Sequence, residues 1–137
     1  MNKVLQPLDT ARRMHDVAVA QHLDGAERLE NFELTRRICN GIGAEWFPAW
    51  ARCLVCAIAS AVVPTSWIHD LDYEYGGSWL ERWIADWRFL CNGCRAAWYT
   101  YAWDQLRRYS TLIKVLYFWI MLRLFGAAAF KWGKQSE

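Results

Sequence analysis

His69 stands beside Asp70, with Tyr73 four residues on and Asp86 seventeen residues after the histidine. On a helix, positions four apart share a face, so His69 and Tyr73 point the same way. Asp70 is rotated by about 100° and can look toward a loop instead. Gly76-Gly77 lies between Tyr73 and Asp86. If Pro64 to Tyr75 and Trp79 to Leu90 are helices joined there, they fold back antiparallel and Asp86 faces His69. A carboxylate on one imidazole nitrogen fixes the tautomer and leaves the other nitrogen to take a proton from water. The same residues suit a buried histidine satisfied by a carboxylate and a phenol, with no chemistry. Spacing alone leaves both readings open.

The elements that would position these groups are all helical. Leu8 to Leu23 reads as a helix with Asp9 or Thr10 as N-cap and Asp24-Gly25 as its stop. Ala26 to Ile38 reads as a second, broken by Asn40-Gly41-Ile42-Gly43. Trp50 to Val63 is apolar except for Arg52 and Ser60 and predicts a buried helix ended by Pro64. Thr65 or Ser66 would cap the helix bearing His69, and Ser78 with Glu81 forms an S-x-x-E capping box for the next. Asn92-Gly93 is expected to interrupt or bend that helix. Arg95 to Arg108 and Thr111 to Phe125 continue in helical style. No period-2 alternation and no repeat occurs, so the fold class is all-α.

At 137 residues the chain predicts a single domain. Within it, 1–38 would form an N-terminal helical extension, 39–94 the core around His69, and 95–132 amphipathic or apolar C-terminal helices. Ten Trp, six Tyr and six Phe exceed what a core of this size holds, so several are expected at the surface or against a partner. A net charge of +2, from 16 basic and 14 acidic residues, argues against nucleic acid. Arg95, Arg107 and Arg108 do interleave with Trp98, Tyr99, Tyr101, Trp103 and Tyr109, but Asp104 interrupts them, and snorkelling arginines on a core helix are the favoured reading.

The apolar run Val115 to Leu122 is bracketed by Lys114 and Arg123; extended to Phe130 it encloses Arg123 and falls short of the ~20 residues of a membrane span. A core helix is the favoured reading. The alternative is an interfacial helix with Lys114, Arg123, Lys131 and Lys134 at headgroup level and Trp119 and Trp132 beside them.

Two C-x-x-C pairs, Cys53/Cys56 and Cys91/Cys94, superficially fit a four-thiolate zinc site. The first pair is apolar inside and sits in an expected buried helix, so zinc is not favoured. The odd count of five cysteines, with Cys39, favours reduced thiols. Met1 to Thr10 has one lysine and no apolar h-region, so a cleaved export signal is not expected. His15-Asp16 repeats the dipeptide but has Val19 where the tyrosine should be, and reads as solvated surface, with His22 unrelated. A metal-dependent HD phosphohydrolase would need more histidines and a larger helical domain.

His69-Asp70-x-x-Tyr73, the glycine pair and Ala85-Asp86 together resemble the active-site helices of the phospholipase A2 superfamily, in the form without disulfides found in viral capsid, phage and bacterial proteins. Asn40-Gly41-Ile42-Gly43 resembles the glycine-bearing calcium loop of that family. Arg82, Phe89-Leu90, Phe125-Gly126 and Ala129-Phe130 extend the likeness to about Gly133. The resemblance implies a phospholipase A2-like fold and calcium-assisted hydrolysis of the sn-2 ester of glycerophospholipids. His69 would match the general base, Asp86 the carboxylate orienting it, and Tyr73 the phenol bonded to that carboxylate. Asp70 and the carbonyls of Gly41, Ile42 and Gly43 would match the calcium ligands. A phospholipid or membrane surface is the implied partner, and a bacterial cytoplasm or a virion the implied setting. Departures are Asp72 where secreted members have a cysteine, Glu45-Trp46 in the loop, and a loop 26 to 28 residues before His69. The alternative function is a non-enzymatic membrane- or protein-binding factor, or a self-assembling subunit, working through the Trp-rich C-terminal helices.

Overall fold

A computed structural model describes residues 5–39, 50, 55 and 59–134, and every structural statement below concerns these. The chain is all-α. Its helices are α1 (Leu8–Ala20), α2 (Phe32–Ile38), α3 (Val63–Tyr75), α4 (Trp79–Thr100) and α5 (Gln105–Phe125), with 3-10 turns at Ala26–Glu30, Ser60–Val62 and Gly126–Ala128.

The α3–α4 hairpin turns where its sequence predicts, but neither Thr65 nor Ser66 caps α3: the helix starts at Val63 with Val62 as N-cap, and the Ser66 hydroxyl donates back to Val62 O at 3.1 Å. Pro64 sits in the first turn of α3, where its missing N–H costs nothing. Gly76 ends the helix at φ +66°, and a Cβ there would lie 1.9 Å from the Lys131 carbonyl oxygen, so no other residue fits. Ser78 and Glu81 then form the expected capping box of α4. The turn is held from outside as well. Gly77 N–H donates to Lys131 O, Gly133 N–H to Gly77 O, and Lys131 N–H to Tyr73 O. Residues 130–133 thus lie along the hairpin turn.

Four expectations are corrected. Neither Asp9 nor Thr10 caps α1: Pro7 is its N-cap, its carbonyl accepting from Thr10 N–H and Ala11 N–H. Ala26–Ile38 is split, because the Asn31 side chain accepts from Leu34 N–H at 3.1 Å and starts a separate helix there. Helix α4 runs unbroken through Asn92-Gly93 to Thr100. The Asn92 amide is fully buried and brackets the Asp24 backbone, accepting from its N–H and donating to its carbonyl, both at 2.8 Å. Gly93 lets Val115 of α5 approach, since a Cβ would meet Val115 Cγ1 at 2.5 Å. The fourth concerns Arg95 to Arg108, which is not one helix: it is broken at 101–104, where the Asp104 side chain accepts from Arg107 N–H and caps α5. The apolar helix expected over Trp50 to Val63 lies mostly outside the described residues, and its last residues form the 3-10 turn Ser60–Val62.

One core cluster joins Ala11, Ala18, Leu23 and Leu29 to Trp67, Ile68 and Leu71, seating the N-terminal elements on α3. A second unites Val62, Phe89 and Val115 between α4 and α5. Asp72 is buried and ion-paired to Arg88 at 2.7 Å and Arg28 at 3.1 Å, with Arg88 also reaching Asp24 at 2.9 Å. Burial pushes the Asp72 carboxyl up against the pull of the two arginines. An ionic clamp therefore ties α3 and α4 to the segment after α1. Arg88→Ala is expected to cost about 3 kcal/mol, the lower end for breaking a buried pair because Arg28 remains. Urea unfolding of the variant beside wild type measures it.

Helix α5 departs from the favoured core reading. Only Arg108, Thr111 and Val115 are fully buried on it. Arg108 does not snorkel as expected: it is buried, its guanidinium turned inward 3.9 Å over the Trp98 ring and donating to Ala102 O. The opposite face is apolar and exposed, with Leu106 at 84% and Ile113 at 69%.

Candidate active site

Helix α3 places His69 and Tyr73 on one face, ring centroids 4.1 Å apart. Asp86 reaches them from α4 and is 0% exposed. His69 Nε2 lies 2.9 Å from Asp86 Oδ1, and Tyr73 O–H donates to the same oxygen at 2.7 Å. The structure thus brings together the three residues assigned to catalysis. Phe89 meets the imidazole edge-on at 5.4 Å and Phe130 meets Tyr73 at 5.2 Å, so the cluster is walled by aromatic rings. Gly126 presses on the phenol: a Cβ there would stand 2.5 Å from Tyr73 Oη.

The second carboxylate oxygen is held by residues given other roles from sequence. Arg123 Nη1 donates to Asp86 Oδ2 at 2.6 Å. Arg82 Nε stands 3.9 Å from that oxygen and its Nη2 donates to the carbonyls of Leu122 and Arg123 at 2.9 and 3.1 Å. Arg123 therefore faces the site instead of a headgroup layer, and its guanidinium also lies 5.0 Å from the Trp83 ring. A signal for it existed. A lone arginine in an apolar helix requires an acidic partner, and Asp86 is a buried one.

Burial would push the Asp86 carboxyl up, but the bonds from His69, Tyr73 and Arg123 outweigh it and hold the group below its usual value. Tyr73 is moved the other way, by burial first and then by its bond to the charged Asp86. An ionised Asp86 only accepts, so His69 Nε2 must be the protonated nitrogen of the bond. In the neutral imidazole this puts the lone pair on Nδ1. The arrangement is an oriented base whose tautomer is set by a carboxylate, itself fixed by a phenol and an arginine.

The metal half of the expected site is only partly in view. Asp70 is half-buried at the next position of α3, while Gly41, Ile42 and Gly43 lie outside the described residues. Among the described residues, no group of three or more His, Cys, Asp or Glu side chains is placed to hold a metal. Calcium takes six to eight oxygens, so Asp70 would hold it only together with other oxygen donors. Cys91 and Cys94 are half-buried free thiols, and their expected zinc partners Cys53 and Cys56 lie outside the described residues. His15 is not solvated as expected: its side chain is 20% exposed, with its ring edge against Phe32 and Asp16 at 3.4 Å. Comparison with family models, with curated proteins and with solved structures finds no match to this chain.

Proposed function

We propose that the protein is a phospholipase A2-like ester hydrolase, in which His69 activates a water against the sn-2 ester of a glycerophospholipid. The observation that carries this reading is the convergence of His69 Nε2 and Tyr73 Oη on one oxygen of a buried Asp86. Asp86 orients the imidazole and stabilises the imidazolium that forms when Nδ1 takes the proton of the attacking water, and that proton passes to the departing lysophospholipid oxygen as the ester C–O bond breaks. Tyr73 and Arg123 keep the carboxylate ionised and in place. No covalent acyl-enzyme is needed, since the nucleophile is water. Calcium, when bound, would supply the polarisation of the ester carbonyl; Asp70 and the Gly41–Gly43 carbonyls are the residues the resemblance assigns to it.

The test is release of fatty acid and lysophospholipid from vesicles labelled at the sn-1 or sn-2 chain, with calcium and with chelator. Label lost from the sn-2 chain alone, and only with calcium, is the expected result. No product in either condition refutes hydrolysis; product that persists in chelator refutes the metal requirement.

A further inference from the structure

The outer face of α5 carries Leu106, Ile113, Leu116, Tyr117, Ile120 and Leu124, all exposed. These positions recur at helical spacing and form one stripe with no charge inside it. Exposed tryptophans flank α5 on α4, where Trp83 meets the half-buried Trp119 of α5 at 6.3 Å and stacks on Trp87 at 6.1 Å. Isolated exposed apolar residues are ordinary in soluble proteins, but a continuous face of this extent marks an interaction surface.

Charge selects the occupant. From the α5 N-cap onward, residues 104–134 contain six basic residues and one acidic one, Asp104. Arg107, paired to Asp104 at 3.3 Å, and the half-buried Lys114 stand along one edge of the stripe, about 80 to 120° around the helix from Leu106 and Ile113. Lys131 is exposed beyond its C-terminal end, beside Lys134, which is paired to Glu74 at 3.2 Å. An apolar helical face edged by cations and flanked by tryptophans fits the boundary between acyl chains and anionic headgroups.

By length and composition Gln105–Ala128 could also cross a bilayer, which corrects the expectation that this segment is too short. The packing argues for a helix lying in the plane instead. Its inner face holds Arg108 and Thr111 buried, and Arg123 bonded to Asp86. A spanning helix would carry those polar contacts and the flank of α4 into the hydrocarbon, at high cost.

We infer that the outer face of α5, with Trp83 and Trp87 of α4, docks the protein on an anionic phospholipid surface. This is independent of hydrolysis, although it would deliver the proposed substrate. The experiment is flotation of the full chain with vesicles of phosphatidylcholine, with and without phosphatidylserine, beside Ile113→Glu/Ile120→Glu. Wild type is expected to float with the anionic vesicles and less with neutral ones. The double variant is expected to bind at least about tenfold more weakly, since two buried apolar side chains are lost. Its far-UV circular dichroism should match wild type, because both positions are exposed, and its hydrolysis of a monomeric short-chain ester should persist if the proposed activity is correct. Absence of ester hydrolysis in both proteins would count against the activity and leave the docking result standing. Wild type that stays unbound, or that binds equally with the double variant, overturns the docking face. Sedimentation as a dimer that the double variant dissociates, without vesicle binding, assigns the face to a second copy instead.

Discussion

His69→Gln is expected to lower vesicle hydrolysis by about 10²- to 10⁴-fold, the usual worth of a positioned general base. Glutamine retains an amide N–H that can reach toward Asp86, so the carboxylate keeps a donor while the basic nitrogen is lost. The fold is therefore expected to survive, with an unfolding midpoint in urea close to that of wild type. A rate equal to wild type would give His69 a different place. It would then be a buried side chain holding α3 to α4, and the hydrolysis, if present, would arise elsewhere. Tyr73→Phe separates the two roles further. It removes one of the three donors to Asp86, costing about 1 kcal/mol of stability, without touching the base.

The second large effect concerns Asp86. Asp86→Ala leaves His69, Tyr73 and Arg123 without their common acceptor, and Arg123 as a charge beside an apolar cavity. Breaking a buried ionic cluster from its centre costs about 3–5 kcal/mol. Against a typical domain stability of about 5–15 kcal/mol, this is enough to unfold a marginal protein. Urea titration of Asp86→Ala and of Asp86→Asn measures it, the asparagine keeping one acceptor and losing less. The same carboxylate gives a pH dependence. Its native value lies below the ordinary 3.8, so the unfolded chain takes up the proton first. The stabilisation is present above 3.8 and is lost as pH falls through the native value. The urea midpoint of wild type should drop on the acid side of about pH 4, and less steeply in Asp86→Asn. Equal acid slopes for the two would show that other carboxylates govern acid unfolding.

What could be read from the sequence was local. The α3–α4 hairpin, its capping box and the meeting of His69, Tyr73 and Asp86 all follow from spacings under twenty residues and from two glycines. Asn31 was legible too, since an asparagine three residues before Leu34 is a cap, but the helical pattern around it masked the break. That Arg123 needed an acid was legible, but which acid was not, because its partner is 37 residues away and only the packing of α5 on α4 brings them together. The exposure of α5 was hidden for another reason. A helix apolar on every side looks the same in sequence whether protein, lipid or a second chain covers its outer face. The ionic clamp on Asp72 depended likewise on three separate elements meeting.

The strand-like pairing of Lys131 and Gly133 with Gly77 has a consequence for the order of assembly. As the chain leaves the ribosome, the α3–α4 hairpin is available long before Arg123, Gly126 and Phe130 exist. During that interval Asp86 has His69 and Tyr73 but no cation on its other oxygen, and the phenol lacks its aromatic wall. Local hairpins form within microseconds, whereas contacts of high sequence separation must close long loops. The base is thus put together early and locked late, by residues synthesised some fifty positions after the turn they fasten. A nascent chain halted before Arg123 would hold the same three side chains more loosely, with Asp86 more readily protonated for want of the Arg123 bond.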